Sequence, residues 1–193
     1  MQDYDSCSLL KTSRLLLRRL SLSDLDIAAE IHGDPATNLH NPSGPRTREQ
    51  TEHLLQIWSA AWDDKGIGYW TVCDQFAPAV VLGFGGIMHK QIGDVTGLNL
   101  YFRLARCAWG KGFAQEMACA ALDVAFRTRV EPAVYALVRP ANTESRRTIE
   151  KIGMRLHSDT QDVAGQLPSL IYRVTLEEYH SRHVKENPLM AGS

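Results

Sequence analysis

Two glycines flanking a lysine, Gly110-Lys111-Gly112, stand between an apolar stretch and the strongest helical pattern in the chain. The segment runs Leu104-Ala105-Arg106-Cys107-Ala108-Trp109-Gly110-Lys111-Gly112-Phe113-Ala114. A strand that feeds directly into a helix through such a loop presents unpaired backbone N–H groups at the helix N-terminus. There the helix dipole also favours an anion. Glycine lets the backbone approach a phosphate closely, and Lys111 adds charge. The same string suits a tight turn that needs glycine only for positive φ. It is neither a Walker loop nor a GxGxxG fingerprint, so spacing alone leaves both roles open.

Other residues invite chemistry less strongly. His180 and His183 stand three apart after Glu177-Glu178, which is helical metal-ligand spacing. No third ligand lies nearby, so a solvated helix end is the preferred reading and no metal is expected. Trp58, Trp62, Tyr69 and Trp70 read as core packing, with an apolar wall of a binding site as the alternative. Gly83-Phe84-Gly85-Gly86 resembles a phosphate loop but lies inside a strand pattern. A bulge or a close backbone approach explains it better.

The elements that must position these residues follow from hydrophobic period. Ala114, Met117, Ala118, Ala121, Leu122, Ala125 and Phe126 form an uninterrupted helical stripe, predicting a helix that ends near Arg129. Upstream, Arg14 to Leu20 reads as a strand. A helix from Leu25 to Gly33 follows, with Ser21 to Asp24 as its capping residues. Asp34 to Pro45 is an irregular loop. Thr47-Arg48-Glu49-Gln50 has capping-box spacing and opens a second helix that ends near Gly66. Gly68 to Cys73, Val80 to His89 and Leu98 to Leu104 read as strands. In the last of these Leu98, Leu100, Phe102 and Leu104 share one face while Asn99, Tyr101 and Arg103 share the other. Ala133 to Val138 is a further strand, Thr143 to Ile152 a short helix, and Ser169 to Leu176 a final strand partnered by Met154 to Ser158. The order predicts an α/β domain with a mixed, mostly antiparallel central sheet flanked by about four helices.

Composition bounds the rest. The chain has 193 residues, a formal net charge of −1 and 44% hydrophobic content, which suits one ordinary soluble domain. A near-neutral balance gives no bulk field for nucleic acid or an anionic membrane. The four cysteines, at 7, 73, 107 and 119, form no CxxC pair, so neither a zinc site nor a redox motif is readable. The start of the chain is acidic and polar, unlike a signal peptide, and no apolar run reaches the ~20 residues of a membrane helix. A cytoplasmic protein is expected.

Three features, in this order and spacing, resemble the GNAT N-acetyltransferase superfamily, and more narrowly its branch of ribosomal-protein N-terminal acetyltransferases. The first is Arg14-Leu15-x-Leu17-Arg18 followed by Asp24. The second is Trp109-Gly110-Lys111-Gly112-Phe113-Ala114, standing where the superfamily has Gln/Arg-x-x-Gly-x-Gly/Ala. The third is Asn142-x-x-Ser145 followed by Glu150-Lys151-Ile152-Gly153-Met154. The resemblance implies an acetyltransferase domain over residues 12–184, with a short extension at 1–11 and a tail at 185–193.

It further implies that acetyl-CoA binds where two neighbouring strands splay apart. The strand ending at Leu104 would pair its backbone with the pantetheine arm. The N–H groups of Gly110, Lys111, Gly112, Phe113 and Ala114 would hold the pyrophosphate. Asn142 would contact pantetheine and Ser145 would lie by the thioester sulfur. Arg146 and Arg147 read either as partners of the ribose phosphate or as a pair of exposed helix arginines. The reaction implied is direct attack of a neutral amine on the thioester carbonyl. The acceptor is a small amine or a protein N-terminus, and a homodimer is left open.

Two departures from the family pattern matter. Trp109 replaces Gln or Arg, removing one side-chain partner for the phosphates. Ile149 stands where many members carry a tyrosine that protonates the leaving thiolate, so that role is vacant or falls to Ser145. No residue announces itself as general base. Among His89, Asp94, Asn99 and Glu49, the candidates ranked first are Glu49, on the helix lining the acceptor cleft, and His89. The absent tyrosine and the unidentified base keep a second class in view, a non-catalytic CoA-binding regulatory module.

Overall fold

The computed structural model describes residues 7–128 and 130–186. Eight strands form one sheet: β1 (Leu9–Lys11), β2 (Leu15–Arg19), β3 (Tyr69–Asp74), β4 (Val81–Ile92), β5 (Val95–Leu104), β6 (Ala133–Val138), β7 (Arg155–Thr160) and β8 (Ser169–Thr175). Five α-helices flank it among the described residues: α1 (Leu25–Gly33), α2 (Arg48–Lys65), α3 (Phe113–Asp123), α4 (Thr143–Lys151) and α5 (Leu176–Glu186). The strand order is β1-β2-β3-β4-β5-β6-β8-β7, antiparallel throughout except for the parallel pair β5–β6. The expected mixed, mostly antiparallel α/β architecture is therefore present, with one helix more than the sequence pattern indicates.

One placement differs from expectation, at the start of the chain. Leu9–Lys11 pairs with Leu16–Arg18 and Cys7 is buried, so the sheet already begins within the stretch expected to precede the domain. The Trp70 indole donates to the Cys7 carbonyl at 2.8 Å, which ties this segment to the core. At the other end α5 carries His180 on its exposed side, while the His183 side chain lies outside the described residues. No group of three or more His, Cys, Asp or Glu suited to a metal ion occurs among the described residues.

Helix starts follow their capping residues. The Thr47 hydroxyl accepts from the Gln50 N–H at 3.2 Å, and the Gln50 side chain accepts from the Thr47 N–H at 3.0 Å. That is the reciprocal box the spacing predicts. Asp24 is buried and accepts from the Ser21 N–H, from both terminal nitrogens of Arg18 and from the Thr71 hydroxyl. It thereby joins β2, β3 and the entry to α1. Burial pushes its carboxyl upward, but the hydrogen bonds from Arg18, Ser21 and Thr71 outweigh this and hold it below the usual range.

The two sheet faces are buried under different helices. Leu98, Leu100 and Leu104 join Met117, Ala118, Ala121 and Leu122 of α3 in the larger core. Phe84 and Met88 join Ala28, Ile31, Leu55 and Trp58 beneath α1 and α2, with Tyr101 packed against them. This is the alternation read from β5. Gly85 lets α3 sit close: an added Cβ there would come within 2.7 Å of Met117 and 2.8 Å of the Tyr101 carbonyl. The glycine-rich stretch in β4 is thus a close backbone approach, as expected. Trp58, Trp62, Tyr69 and Trp70 are all buried, which selects the core-packing reading.

Candidate active site

β5 runs through α3 into β6, the crossover that joins parallel neighbours. The two strands hold register at only two positions, Leu98 with Val134 and Asn99 with Tyr135. Beyond Asn99 they part. β6 turns away to complete its ladder with β8, from Ala133–Thr175 to Val138–Leu170. Backbone groups of Leu100 to Leu104 on that side are left without a strand partner, and a groove of about 810 Å³ opens along them.

The groove gathers most of the residues singled out from sequence. Leu104, Trp109, Gly110, Gly112, Phe113 and Ala114 line one side. Asn142, Ser145 and Arg147 line the other. Gly110 and Gly112 have φ of 71° and 77°, in the left-handed region that favours glycine. That alone accounts for the residue type. Crowding adds no second reason: a Cβ at Gly110 would meet nothing within 4 Å, and one at Gly112 only the Arg14 guanidinium at 3.6 Å, so the space beside both is open. Gly112 is the N-cap of α3, and no side chain caps the helix. An uncapped helix start facing open space is a fitting seat for a pyrophosphate.

Other elements hold this loop in place. Arg14, just before β2, donates to the Lys111 carbonyl at 2.9 Å and pairs with Glu116 at 2.7 Å. Its guanidinium also lies 4.6 Å from the centre of the Phe113 ring. Thr12 donates to the same Glu116 carboxylate at 2.5 Å. Burial raises the Glu116 pKa, and the bonds from Thr12 and Arg14 more than reverse that, leaving it lowered. The Trp109 indole donates to the Leu104 carbonyl at 2.8 Å, pinning the loop to the end of β5. Trp109 therefore has a loop-closing role in place of the missing Gln or Arg.

Some assigned residues divide differently. The Lys111 side chain is exposed and is not part of the groove lining. Asn142 caps α4, its Oδ1 accepting from the Ser145 N–H at 3.1 Å. Arg146 turns away to the Tyr172 hydroxyl and the Pro140 carbonyl, whereas Arg147 lines the groove and pairs with Glu144 at 2.8 Å. Ile149 is buried beside the groove, so no phenol can occupy that place.

Neither candidate base reaches the groove. Glu49 is exposed on the first turn of α2, where hydrogen bonds from its own N–H and from Thr47 hold its carboxyl below the usual range. His89 is half-buried with its Nε2 3.6 Å from Glu131, at a strand position that alternates away from Met88 and the α1–α2 layer. Asp94 is an exposed turn residue between β4 and β5. Of that group only Asn99 lines the groove.

Several lining residues were not singled out from sequence. Thr37, Leu39, His40 and Asn41 come from the loop between α1 and α2. Tyr101 and Arg103 come from β5. The loop is stapled by Asn38, buried, whose Nδ2 donates to the His32 carbonyl at 2.8 Å and whose Oδ1 accepts from Arg103. The signal for Tyr101 and Arg103 lay in the alternation of β5. The loop's position depends on its own turn hydrogen bonds, which follow no period, and on Arg103 reaching Asn38.

Comparisons with known proteins agree with this architecture. The family model described as an Acetyltransferase (GNAT) domain matches residues 14–155. YkkB of Bacillus subtilis (strain 168) is 34% identical over 146 residues, covering 75% of this chain and 84% of the relative. The crystal structure of an acetyltransferase from Agrobacterium tumefaciens str. C58 superposes with a TM-score of 0.73 at 26% identity, covering 86% of this chain and 93% of that one. A putative ribosomal-protein-serine acetyltransferase from Vibrio cholerae shares the fold, with a TM-score of 0.69 at 14% identity and coverage of 86% and 97%. With a family model spanning most of its length, and a groove where that architecture parts two strands, the chain belongs to the GNAT acetyltransferase family.

Proposed function

We propose that the protein transfers the acetyl group of acetyl-CoA directly to a primary amine, and that it does so in the cytoplasm. The observation that carries this reading is the parting of β5 and β6 after Asn99, which opens onto an uncapped helix N-terminus. Unpaired strand backbone suits the amides of pantetheine, and the N–H groups of Gly110 to Ala114 suit its pyrophosphate. Asn142 keeps its Nδ2 for the pantetheine arm, and Arg147 serves the ribose phosphate.

In this reading the acceptor nitrogen forms a bond to the thioester carbonyl carbon while backbone N–H groups of β5 stabilise the developing oxyanion. The carbon–sulfur bond then breaks. Ser145 hydrogen-bonds the departing thiolate, whose ordinary pKa of about 8.5 lets water complete its protonation. His40, the histidine in the groove lining among the described residues, takes the proton the amine loses.

Calorimetric titration with acetyl-CoA, followed by thiol release across an amine panel, tests the reading. Saturable binding with amine-dependent release of CoA is expected. Saturable binding with no turnover on any amine would establish the non-catalytic module instead. Absence of binding would remove the cofactor assignment itself.

A further inference from the structure

The acceptor half of the groove carries an unusual pair of polar groups. Asn99 is 95% buried at the point where β5 and β6 separate. Its Nδ2 donates to the Tyr69 hydroxyl at 2.8 Å, but its Oδ1 has no hydrogen-bond partner. A buried carbonyl oxygen left unpaired is costly unless a ligand donates to it. Four residues along the same strand face stands Arg103. Its Nε is held 3.0 Å from the Tyr101 hydroxyl, and it also donates to Asn38. Both partners are neutral. Among the described residues no carboxylate pairs with this half-buried guanidinium, although seven other arginines form ion pairs.

The charge of this end of the groove points the same way. Lys90 and Arg103 carry it. The two carboxylates in the groove lining, Glu144 and Asp162, belong to the opposite side and are already paired with Arg147 and Arg139. A guanidinium fixed by neutral partners is preorganised for a planar anion and presents a fork matched to a carboxylate.

Resting on the acetyl-transfer reading, we propose that the acceptor is a primary amine that also bears a carboxylate. Asn99 Oδ1 accepts from the amine and Arg103 binds the carboxylate. Four strand residues separate the two Cα atoms by about 13 Å, and the Tyr101 ring stands between. The anionic group therefore lies several bonds from the nitrogen, farther than the α-carboxylate of a free amino acid. An ω-amino acid or the acidic second residue of a peptide provides that spacing. A polycation does not, and meets like charge.

The experiment compares matched acceptors by thiol release: 6-aminohexanoate, hexylamine and 1,6-diaminohexane, with a pair of tetrapeptide amides carrying Glu or Lys at the second position. The carboxylate-bearing members are expected to exceed their cationic counterparts at least tenfold in kcat/KM. Whichever series responds identifies the source, small molecule or peptide. Arg103→Gln should raise KM for the preferred acceptor about tenfold to hundredfold while leaving the KM for acetyl-CoA within about twofold. Calorimetric binding of 6-aminohexanoate and the Glu peptide to the CoA-loaded protein gives a readout independent of turnover. Turnover with no preference for carboxylate, or with preference for 1,6-diaminohexane, overturns the inference and leaves acetyl transfer standing. A rise confined to the acetyl-CoA KM in Arg103→Gln would overturn it too, making Arg103 a cofactor contact. Absence of turnover with every amine would overturn both.

Discussion

Arg14 and Glu116, 102 positions apart, are joined twice: the Arg14 side chain donates to Oε2 at 2.7 Å and its backbone N–H donates to Oε1 at 2.8 Å. Because Arg14 also holds the Lys111 carbonyl, this pair fastens the glycine loop to the second strand. It gives the Arg-Leu-x-Leu-Arg pattern a physical purpose in the site, remote from where the pattern lies in sequence. Glu116→Gln removes one charge from a mostly buried partner and should cost about 1–2 kcal/mol. The Glu116 pKa is depressed in the folded state, so its contribution is present above the unfolded value of 4.5 and lost as pH falls through the folded value. Chemical denaturation of wild type and variant as a function of pH should therefore show the difference narrowing below about pH 4.5. A difference that stays constant down to pH 3 would sever Glu116's ionisation from the loop's stability.

Gly112 separates backbone conformation from ligand space in the loop. Its φ of 77° penalises any side chain by about 1–2 kcal/mol, less for Asn, whereas the space beyond its Cα is open. Gly112→Asn should therefore melt only slightly below wild type. Gly112→Glu should lose acetyl-CoA binding altogether, because its carboxylate would stand at the seat of the pyrophosphate. Calorimetry and thermal melts on both variants check this. Wild-type affinity in Gly112→Glu would move the phosphate site elsewhere.

Most of the fold was legible because its periods are clean. The α3 stripe and the alternation of β5 each appear in the sequence and survive in the structure. The glycine loop was legible from its own strand–loop–helix string, whereas Asn142 and Ser145 followed from the family resemblance, and with Arg147 they line the groove. The acceptor end was not legible. Asn38, His40 and Leu39 belong to a loop with no period, and what aims them is Arg103 reaching across from β5. Glu49 and His89 misled for the opposite reason. Their chemistry suits a base, but a helix start and a strand end face outward or toward the wrong layer, which residue type does not encode.

Ser145 and Asn142 test chemistry against architecture on a single helix turn. Asn142 caps α4, so Asn142→Ala should cost about 1 kcal/mol of stability and also raise the KM for acetyl-CoA. Ser145 contributes its backbone N–H to that cap, and Ser145→Ala keeps it. If the hydroxyl meets the leaving sulfur, Ser145→Ala should lower kcat about tenfold or more with little change in cofactor affinity or melting temperature. Steady-state kinetics with the preferred acceptor read the split. An unchanged kcat would make Ser145 a lining residue only.

His32 supplies the clearest pH dependence. It is 99% buried against Trp58 and Phe84, with neither ring nitrogen hydrogen-bonded. Burial, with the nearby charges of Arg103 and Arg46, pushes its pKa from 6.5 down to about 3. The folded protein thus holds His32 neutral over a range in which the unfolded chain protonates it. Stability from this residue is complete above pH 6.5 and declines as pH falls from there toward about 3. His32→Phe keeps an aromatic ring in the T-shaped contact with Trp58 and removes the titrating group. Its stability should change less than that of wild type between pH 6.5 and 4.5, above the range in which the Glu116 contribution begins to be lost. Parallel slopes for the two proteins in that interval would mean that His32 is protonated in the fold, which its apolar surroundings oppose.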